Sequence, residues 1–323
     1  MHWKFWLPLL LIPVIYLAIA FAMTLITPEV SSSKSLNFER LKVSDDNTIK
    51  ASALETFEAR DGQAISYAHY PADTDLKVIL LHGSGYHGSY LAPLASYLAS
   101  QGTADVYVPN IRGHHGSGDT RGDINHIGQL EDDLVDFINL IREIDPDARI
   151  VIGGHSSGGA LAMRFASSDN DTPVEAYFGL APFLGPDAPV MPETDSGWAH
   201  ISLPRIIGLS MLNNVGIHWL DNRETIRFNM PDAYRDGTET LAYSWRLMSN
   251  YALHRDYEPD IAGIPDASLV IVGRDDEALN ADAFPDLFKG MSTDVQLIDN
   301  MDHFGVVLDE RAMEALNSWL SER

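Results

Sequence analysis

The sequence contains no cysteine, which excludes disulfide bonds, thiolate metal ligands and a cysteine nucleophile. Basic residues are also scarce, since 22 Lys and Arg stand against 46 Asp and Glu and the formal charge is −24. A surface of this sign repels a phosphate backbone, so we predict no nucleic-acid partner and a neutral or zwitterionic substrate. At 323 residues the chain is long enough for one large α/β domain that carries an insertion.

The N-terminus carries an uncharged apolar run over residues 5–26. As a helix it would measure about 33 Å, against about 30 Å for the hydrocarbon core of a bilayer. We therefore predict one transmembrane helix, a membrane anchor or signal over residues 1–27, and a polar stalk over residues 28–50. Lys4 precedes the run, which favours a location of the rest of the chain on the non-cytoplasmic side of the membrane, periplasmic or extracellular. Cleavage near Ala22 would instead release a secreted protein.

The most informative stretch is Ile150–Ala160, in which three β-branched residues run into Gly154-His155-Ser156-Ser157-Gly158. A good helix former follows, so the stretch predicts a strand, a sharp turn and a helix with Ser156 at the apex. Such a turn forces the apical residue into a strained backbone conformation, and side chains two positions away would collide. Gly154 and Gly158 relieve that crowding, which makes Ser156 a candidate nucleophile.

A second glycine-bearing turn, His82-Gly83-Ser84-Gly85, follows the apolar strand predicted over residues 77–81. Acyl transfer from a serine needs two backbone donors for the oxyanion, one after the nucleophile and one from such a loop. We predict these donors to be the N–H groups of Ser157 and Ser84. For His82 we expect a packing role and a hydrogen bond that shapes the loop.

The remaining catalytic candidates follow two later strands. The strand predicted over residues 268–272 ends in Gly273-Arg274-Asp275-Asp276-Glu277, and His303 lies just beyond the last strand, over residues 295–298. Catalytic groups of parallel α/β sheets gather beyond the carboxyl ends of the strands, so these loops should meet the Ser156 turn. The order serine, acid, histidine is complete, with three acidic candidates.

Residues 185–259 break the strand and helix pattern and are rich in large apolar residues. The segment is too long for a loop, so we predict a helical cap inserted in the domain. Part of its apolar surface, with Met211 and Trp219 as examples, is expected to line an acyl pocket. The adjacent His114 and His115 lack the spacing of a metal site, and we expect no metal there.

Residues 51–323 resemble the α/β-hydrolase superfamily, and in particular its monoacylglycerol lipase, lysophospholipase and serine-aminopeptidase-like branch. The resemblance rests on five motifs: His82-Gly83-Ser84-Gly85, Arg112-Gly113-His114 with Gly116-Ser117, Gly154-His155-Ser156-Ser157-Gly158, Gly273-x-x-Asp276 and Asp302-His303. It implies an α/β fold with a mostly parallel eight-stranded sheet and a cap after the sixth strand. The extra His115 departs from the Arg-Gly-His-Gly turn of the branch.

The resemblance also implies a triad of Ser156, Asp276 and His303, with Asp276 preferred to Asp275 and Glu277 because it matches the Gly-x-x-Asp spacing. The expected activity is hydrolysis of a small-molecule or lipid ester with an apolar acyl group, without a cofactor or metal. One alternative is an aminopeptidase or amidase, which would need an acidic group in the cap to bind a substrate amine. Candidates for that group are Glu193, Asp195 and Glu224. The other alternative is a non-catalytic, hydrolase-like binding protein.

Overall fold

The computed structural model describes residues 3–30, 34–43, 53–192 and 196–323. The helices are α1 (Trp3–Thr24), α2 (Glu39–Val43), α3 (Ala92–Ser100), α4 (Gln129–Ile144), α5 (Ser157–Ser167), α6 (Leu203–Asn213), α7 (Trp245–Asn250), α8 (Glu258–Ala262), α9 (Phe284–Leu287), α10 (Gly305–Leu308) and α11 (Glu310–Leu320). The strands are β1 (Glu55–Glu58), β2 (Ala64–Tyr70), β3 (Leu76–Leu81), β4 (Asp105–Pro109), β5 (Arg149–His155), β6 (Ala176–Leu180), β7 (Ala199–Ile201), β8 (Glu224–Phe228), β9 (Ala242–Ser244), β10 (Ser268–Gly273) and β11 (Asp294–Ile298).

The central sheet has eight strands in the order β1-β2-β4-β3-β5-β6-β10-β11. The β1–β2 and β2–β4 pairs are antiparallel and the other neighbours run parallel, with Val78 opposite Val151 and Val272 opposite Leu297. Every residue of β3 is buried, as expected of a strand covered on both faces by helices. The predicted mostly parallel sheet is therefore confirmed. Since β3, β5 and β10 share one direction, the loops that follow them meet at one edge of the sheet.

The insertion predicted after the sixth strand lies between β6 and β10, but it is not purely helical. A three-stranded antiparallel sheet in the order β7-β8-β9 accompanies α6 and α7. The prediction was wrong on this point because β7 and β9 have only three residues each, too few for a visible alternation of apolar and polar side chains.

The predicted transmembrane helix is not confirmed, since no helix among the described residues is both long and apolar enough to cross a membrane. The described side chains of α1 begin at Leu11. This part of α1 packs on α6, where a Cβ at Gly208 would lie 2.6 Å from the carbonyl oxygen of Ala20. The Tyr16 hydroxyl donates to the Met211 carbonyl at 2.8 Å. The predicted non-cytoplasmic location stays a prediction.

Part of the predicted stalk belongs to the domain. Residues 34–41, which we call the N-terminal strap, lie against the carboxyl edge of the sheet. Leu36 is 6% and Phe38 2% exposed, and both belong to the main hydrophobic core. The stalk interpretation is therefore wrong over these residues. Three apolar side chains, at Leu36, Phe38 and Leu41, are a weak sequence signal in an otherwise polar stretch.

Candidate active site

Ser156 lies at the apex of the sharp turn between β5 and α5. Its backbone has φ 54° and ψ −121°, a region that side-chain-bearing residues rarely adopt. A Cβ at Gly154 would lie 2.6 Å from the Leu81 carbonyl oxygen, and one at Gly158 would lie closer still to the His82 carbonyl oxygen. Both glycines are therefore required by the close passage of the chain, as the sequence predicts.

His303 and Asp276 form a buried pair at the same edge of the sheet. The His303 ring Nδ1 and Asp276 Oδ2 are 2.8 Å apart, and the second carboxylate oxygen of Asp276 accepts the N–H groups of Ala278 and Leu279 at 2.8 and 2.9 Å. The structure thus brings Asp276 to the imidazole, whereas Asp275 is exposed. Glu277 reaches the backbone N–H of His303 at 3.1 Å and not the ring.

The carboxylates around His303 decide its charge. Burial opposes protonation of the ring, but the negative charge of Asp276 and its hydrogen bond, aided by Glu277 and Asp302, outweigh burial and raise the pKa of His303 above its ordinary value. An imidazole in this setting is a stronger base than a free one. It can accept a proton from a hydroxyl and keep it beside Asp276.

Ser156 and His303 line one pocket. Ser156 Oγ makes no hydrogen bond to another described residue, so the serine and the imidazole are not joined in this conformation. Catalytic hydrogen bonds are often long before substrate binds and shorten in the complex.

The two predicted oxyanion donors lie on adjoining loops. The Ser84 and Ser157 hydroxyl oxygens are 2.6 Å apart, which ties the loop after β3 to the first turn of α5. On either side of Ser84, the N–H groups of Gly83 and Gly85 donate to the hydroxyls of Tyr90 and Tyr243, at 2.6 and 2.8 Å. Within the described chain, the N–H groups of Ser84 and Ser157 have no such acceptor, so both are available to a ligand.

Each of these tyrosines is held by a neutral histidine. The His155 ring donates from Nε2 to the His303 carbonyl at 3.0 Å, which leaves Nδ1 to accept the Tyr90 hydroxyl at 2.9 Å. Burial, reinforced by the nearby His303, lowers the pKa of His155 well below its ordinary value and keeps the ring neutral. His155 therefore connects the glycine loop, through Tyr90, to the backbone of His303.

The second tyrosine has the same arrangement on the other side of the loop. The His114 ring donates from Nδ1 to the Ile111 carbonyl at 3.0 Å and accepts the Tyr243 hydroxyl at Nε2 at 2.6 Å. Burial lowers the pKa of His114 to about 4, so this ring is also neutral. No sequence motif marks either tyrosine, because their hydroxyls reach the loop only in the folded chain.

His82 and His115 have structural contacts. His82 is fully buried and its Nε2 accepts the Ile111 N–H at 3.0 Å, a hydrogen bond that fixes the loop as expected. His115 packs on the His87 ring, with centroids 4.9 Å apart. Its sequence neighbour His114 binds Tyr243 instead, so these two histidines contact different residues. Across the described ranges, no three His, Asp or Glu side chains are grouped to hold a metal ion.

Comparison with known proteins identifies the family. The sequence profile described as serine aminopeptidase, S33, matches residues 72–304, which is most of the chain. The chain belongs to this family. The matched span includes the loops that carry Ser84, Ser156, Asp276 and His303.

Solved structures share the fold of this S33 family member. A monoacylglycerol lipase from Paleococcus ferrophilus is 19% identical with a TM-score of 0.58, and the match covers 80% of this chain and 98% of that one. A soluble variant of monoglyceride lipase from Saccharomyces cerevisiae is 16% identical with a TM-score of 0.62, covering 86% and 96%. Identities this low show the α/β-hydrolase fold alone.

A curated relative, the probable protein phosphatase methylesterase 1 of Caenorhabditis elegans, is 29% identical over 176 residues. The match covers 52% of this S33 family member and 46% of the Caenorhabditis elegans protein, which is less than half of that protein's length. The chain is therefore a member of the S33 family with the α/β-hydrolase fold.

Two expectations about the cap of this S33 family member need correction. Trp219 is 70% exposed and packs on Phe21 of α1, and Met211 packs in the apolar cluster between α1 and α6, so neither residue lines the Ser156 pocket. The cap contributes Trp198 and Met230 to that pocket instead. Apolar composition alone could not separate the face of the cap that meets α1 from the face that meets the pocket.

Of the three acidic candidates for binding a substrate amine, Glu224 is the one that the structure describes, and it does not line the pocket. Glu224 lies on β8 and pairs with Arg227 at 2.7 Å, and Glu193 and Asp195 lie outside the described residues. In the part of the chain that the structure describes, no carboxylate lines the Ser156 pocket. A positively charged substrate amine would therefore find no partner on these walls.

Proposed function

We propose that the protein is a serine hydrolase that cleaves carboxylic esters with an apolar acyl group, through a triad of Ser156, His303 and Asp276 and a covalent acyl-enzyme. The observation that carries the proposal is the buried His303–Asp276 pair, 2.8 Å long, in the pocket that holds the strained Ser156. Membership of the S33 family and the α/β-hydrolase fold support hydrolysis as the reaction class.

In the proposed mechanism, Ser156 Oγ attacks the ester carbonyl carbon while His303 Nε2 takes the hydroxyl proton. Asp276 holds the Nδ1 proton and stabilises the imidazolium. The carbonyl oxygen becomes an oxyanion and accepts hydrogen bonds from the N–H groups of Ser84 and Ser157, of which Ser157 lies at the positive end of α5. His303 then gives its proton to the leaving alkoxide, and the alcohol departs.

Deacylation repeats these steps with water. His303 takes a proton from the water as its oxygen attacks the acyl carbon, and returns it to Ser156 Oγ when the acid leaves.

The walls of the pocket favour an ester over an aminoacyl amide. They include Leu36, Phe38, Trp198, Met230 and Phe304. Apolar walls gain about 0.8 kcal/mol for each methylene that they bury, whereas an ammonium group would be desolvated there with no carboxylate among the described lining residues. An apolar acyl group is therefore the better match.

A fluorophosphonate probe tests the nucleophile. It should label the purified protein at Ser156, and Ser156→Ala should lose the label while the surface control Ser100→Ala keeps it. Labelling that survives in Ser156→Ala would place the nucleophile elsewhere. No labelling of the unaltered protein would favour the non-catalytic alternative.

A substrate panel then separates the two catalytic alternatives. We expect p-nitrophenyl acyl esters to be hydrolysed at a kcat/KM well above that for aminoacyl p-nitroanilides. Faster cleavage of the anilides would favour an aminopeptidase and would point to Glu193 or Asp195 as the group that binds the amine.

A further inference from the structure

The N-terminal strap, residues 34–41, forms a wall of the Ser156 pocket. Leu36, Phe38 and Leu41 line the pocket together with Ser84 and Ser156. The Phe38 ring lies 5.2 Å from that of Phe304 and 5.5 Å from that of Trp198, centroid to centroid. A segment before the first strand therefore supplies apolar side chains to the place where an acyl group would bind.

The strap is anchored at both ends. The Asn229 side chain donates to the Lys34 carbonyl at 2.7 Å, and the Ser35 hydroxyl donates to the Asn229 carbonyl. Farther along, the Asn37 N–H donates to Glu277 at 2.7 Å and the Arg40 guanidinium binds Asp302 at 2.8 Å. Because Glu277 and Asp302 are the sequence neighbours of Asp276 and His303, the strap is held directly against the catalytic loops.

Burial along the strap alternates. Leu36 and Phe38 are buried, while Asn37 and Glu39 are exposed. The inward side chains occupy the pocket beside Ser156, where Phe38 packs on the rings of Trp198 and Phe304. A long acyl chain would have to displace Leu36 or Phe38.

We infer that Leu36 and Phe38 determine the acyl-chain length that the enzyme accepts, and that they restrict it to short-chain esters. The inference rests on the proposed ester hydrolysis at Ser156 and adds the substrate class. The strap closes the pocket on the side away from the N–H groups of Ser84 and Ser157, which would bind the carbonyl oxygen of the ester. The methylenes of an acyl chain beyond the first few therefore have no buried position. Removing the Phe38 ring opens that position.

The test measures kcat/KM of the full chain for p-nitrophenyl acetate, butyrate and octanoate. The unaltered enzyme should prefer acetate and butyrate. Phe38→Ala should raise the octanoate to acetate ratio by at least about tenfold, since each newly buried methylene contributes about fourfold. Leu36→Ala should shift the ratio the same way, and Phe38→Trp should shift it toward acetate.

Glu39→Ala is the matched control, because Glu39 lies on the same strap with its side chain exposed. It should keep the chain-length profile of the unaltered enzyme. If Phe38→Ala does not fold, Phe38→Leu and Leu36→Ala carry the test, with fluorophosphonate labelling of Ser156 as the measure of an intact site.

Three results would overturn the inference. An unchanged octanoate to acetate ratio in Phe38→Ala and Leu36→Ala would show that the strap does not limit the acyl chain. An equal gain in kcat/KM for all three esters would show that the strap controls substrate entry and not the acyl-chain length. Absence of both labelling and ester hydrolysis in the unaltered protein would instead refute the proposed function, and the inference with it.

Discussion

Replacing Asp276 by asparagine should stop catalysis and leave the fold intact. One carboxylate oxygen of Asp276 accepts two backbone N–H groups, from Ala278 and Leu279, and the other faces His303 Nδ1. The two backbone donors require the oxygen of the asparagine amide, so its NH₂ group must face the imidazole. His303 Nδ1 would then accept a hydrogen bond, the ring proton would move to Nε2, and Nε2 could no longer take the proton of Ser156.

The expected magnitude follows from this reversed tautomer. The same exchange in another serine hydrolase triad lowers kcat by about 10⁴. At about 1.36 kcal/mol per tenfold, this corresponds to ~5.4 kcal/mol of transition-state stabilisation. Asparagine fills the same volume and keeps the bonds to Ala278 and Leu279, so the melting temperature should change little. The assay compares kcat for p-nitrophenyl butyrate with a thermal melt of the same preparation.

Asp275→Asn is the matched control, because Asp275 is adjacent in sequence but exposed. It should change kcat less than about twofold, since a screened surface charge interacts weakly with the site. A loss of activity in Asp275→Asn as large as that in Asp276→Asn would refute the assignment. Retention of most activity in Asp276→Asn would refute the tautomer argument.

Further predictions concern the base, the glycine loop and the nucleophile. The pKa of His303 is raised and its neutral form is the base, so kcat/KM should fall as the pH drops through a value above the ordinary ~6.5. A pH profile of kcat/KM measures this fall, and an inflection below about 6.5 would contradict the raised pKa. Tyr90→Phe removes the acceptor of the Gly83 N–H, so we expect kcat to fall with little change in KM and the free energy of unfolding to drop by about 1–3 kcal/mol. Steady-state kinetics and a urea titration measure the two effects, and a rise in KM alone would contradict the prediction. Ser156→Gly should abolish hydrolysis and raise stability by about 1 kcal/mol, because glycine tolerates the φ of 54°; a lower melting temperature would argue against backbone strain.

The sequence predicted the features that depend on local patterns. The apolar runs of β3 and β10, the amphipathic helix α4 and the glycines beside Ser156 each carry a signal within a few residues of the feature itself. Parallel strand direction then brings Asp276 and His303 to the same edge as Ser156. These parts of the fold and of the candidate site could be inferred without coordinates.

The features that the sequence did not predict depend on distant contacts. Tyr243 is separated from Gly85 by 158 residues and Asn37 from Glu277 by 240, so no local pattern links them. The strap has only three apolar residues, Leu36, Phe38 and Leu41, among polar neighbours, a composition that fits a stalk as well as a pocket wall. Strands of three residues, such as β7, are too short to give a period.

The position of the strap changes where the functional unit begins. A truncation designed from sequence patterns would start at residue 51 and discard Leu36 and Phe38 together with the Arg40 ion pair. Such a protein would retain the nucleophile, the base and the acid, yet it would present the rings of Trp198, Tyr234 and Phe304 to water where Phe38 now covers them. Kinetic constants measured on that fragment would describe a wider cleft with more exposed apolar surface than the cleft of the full chain. Any screen for the natural ester of the enzyme therefore has to be run with residues 34–41 in place.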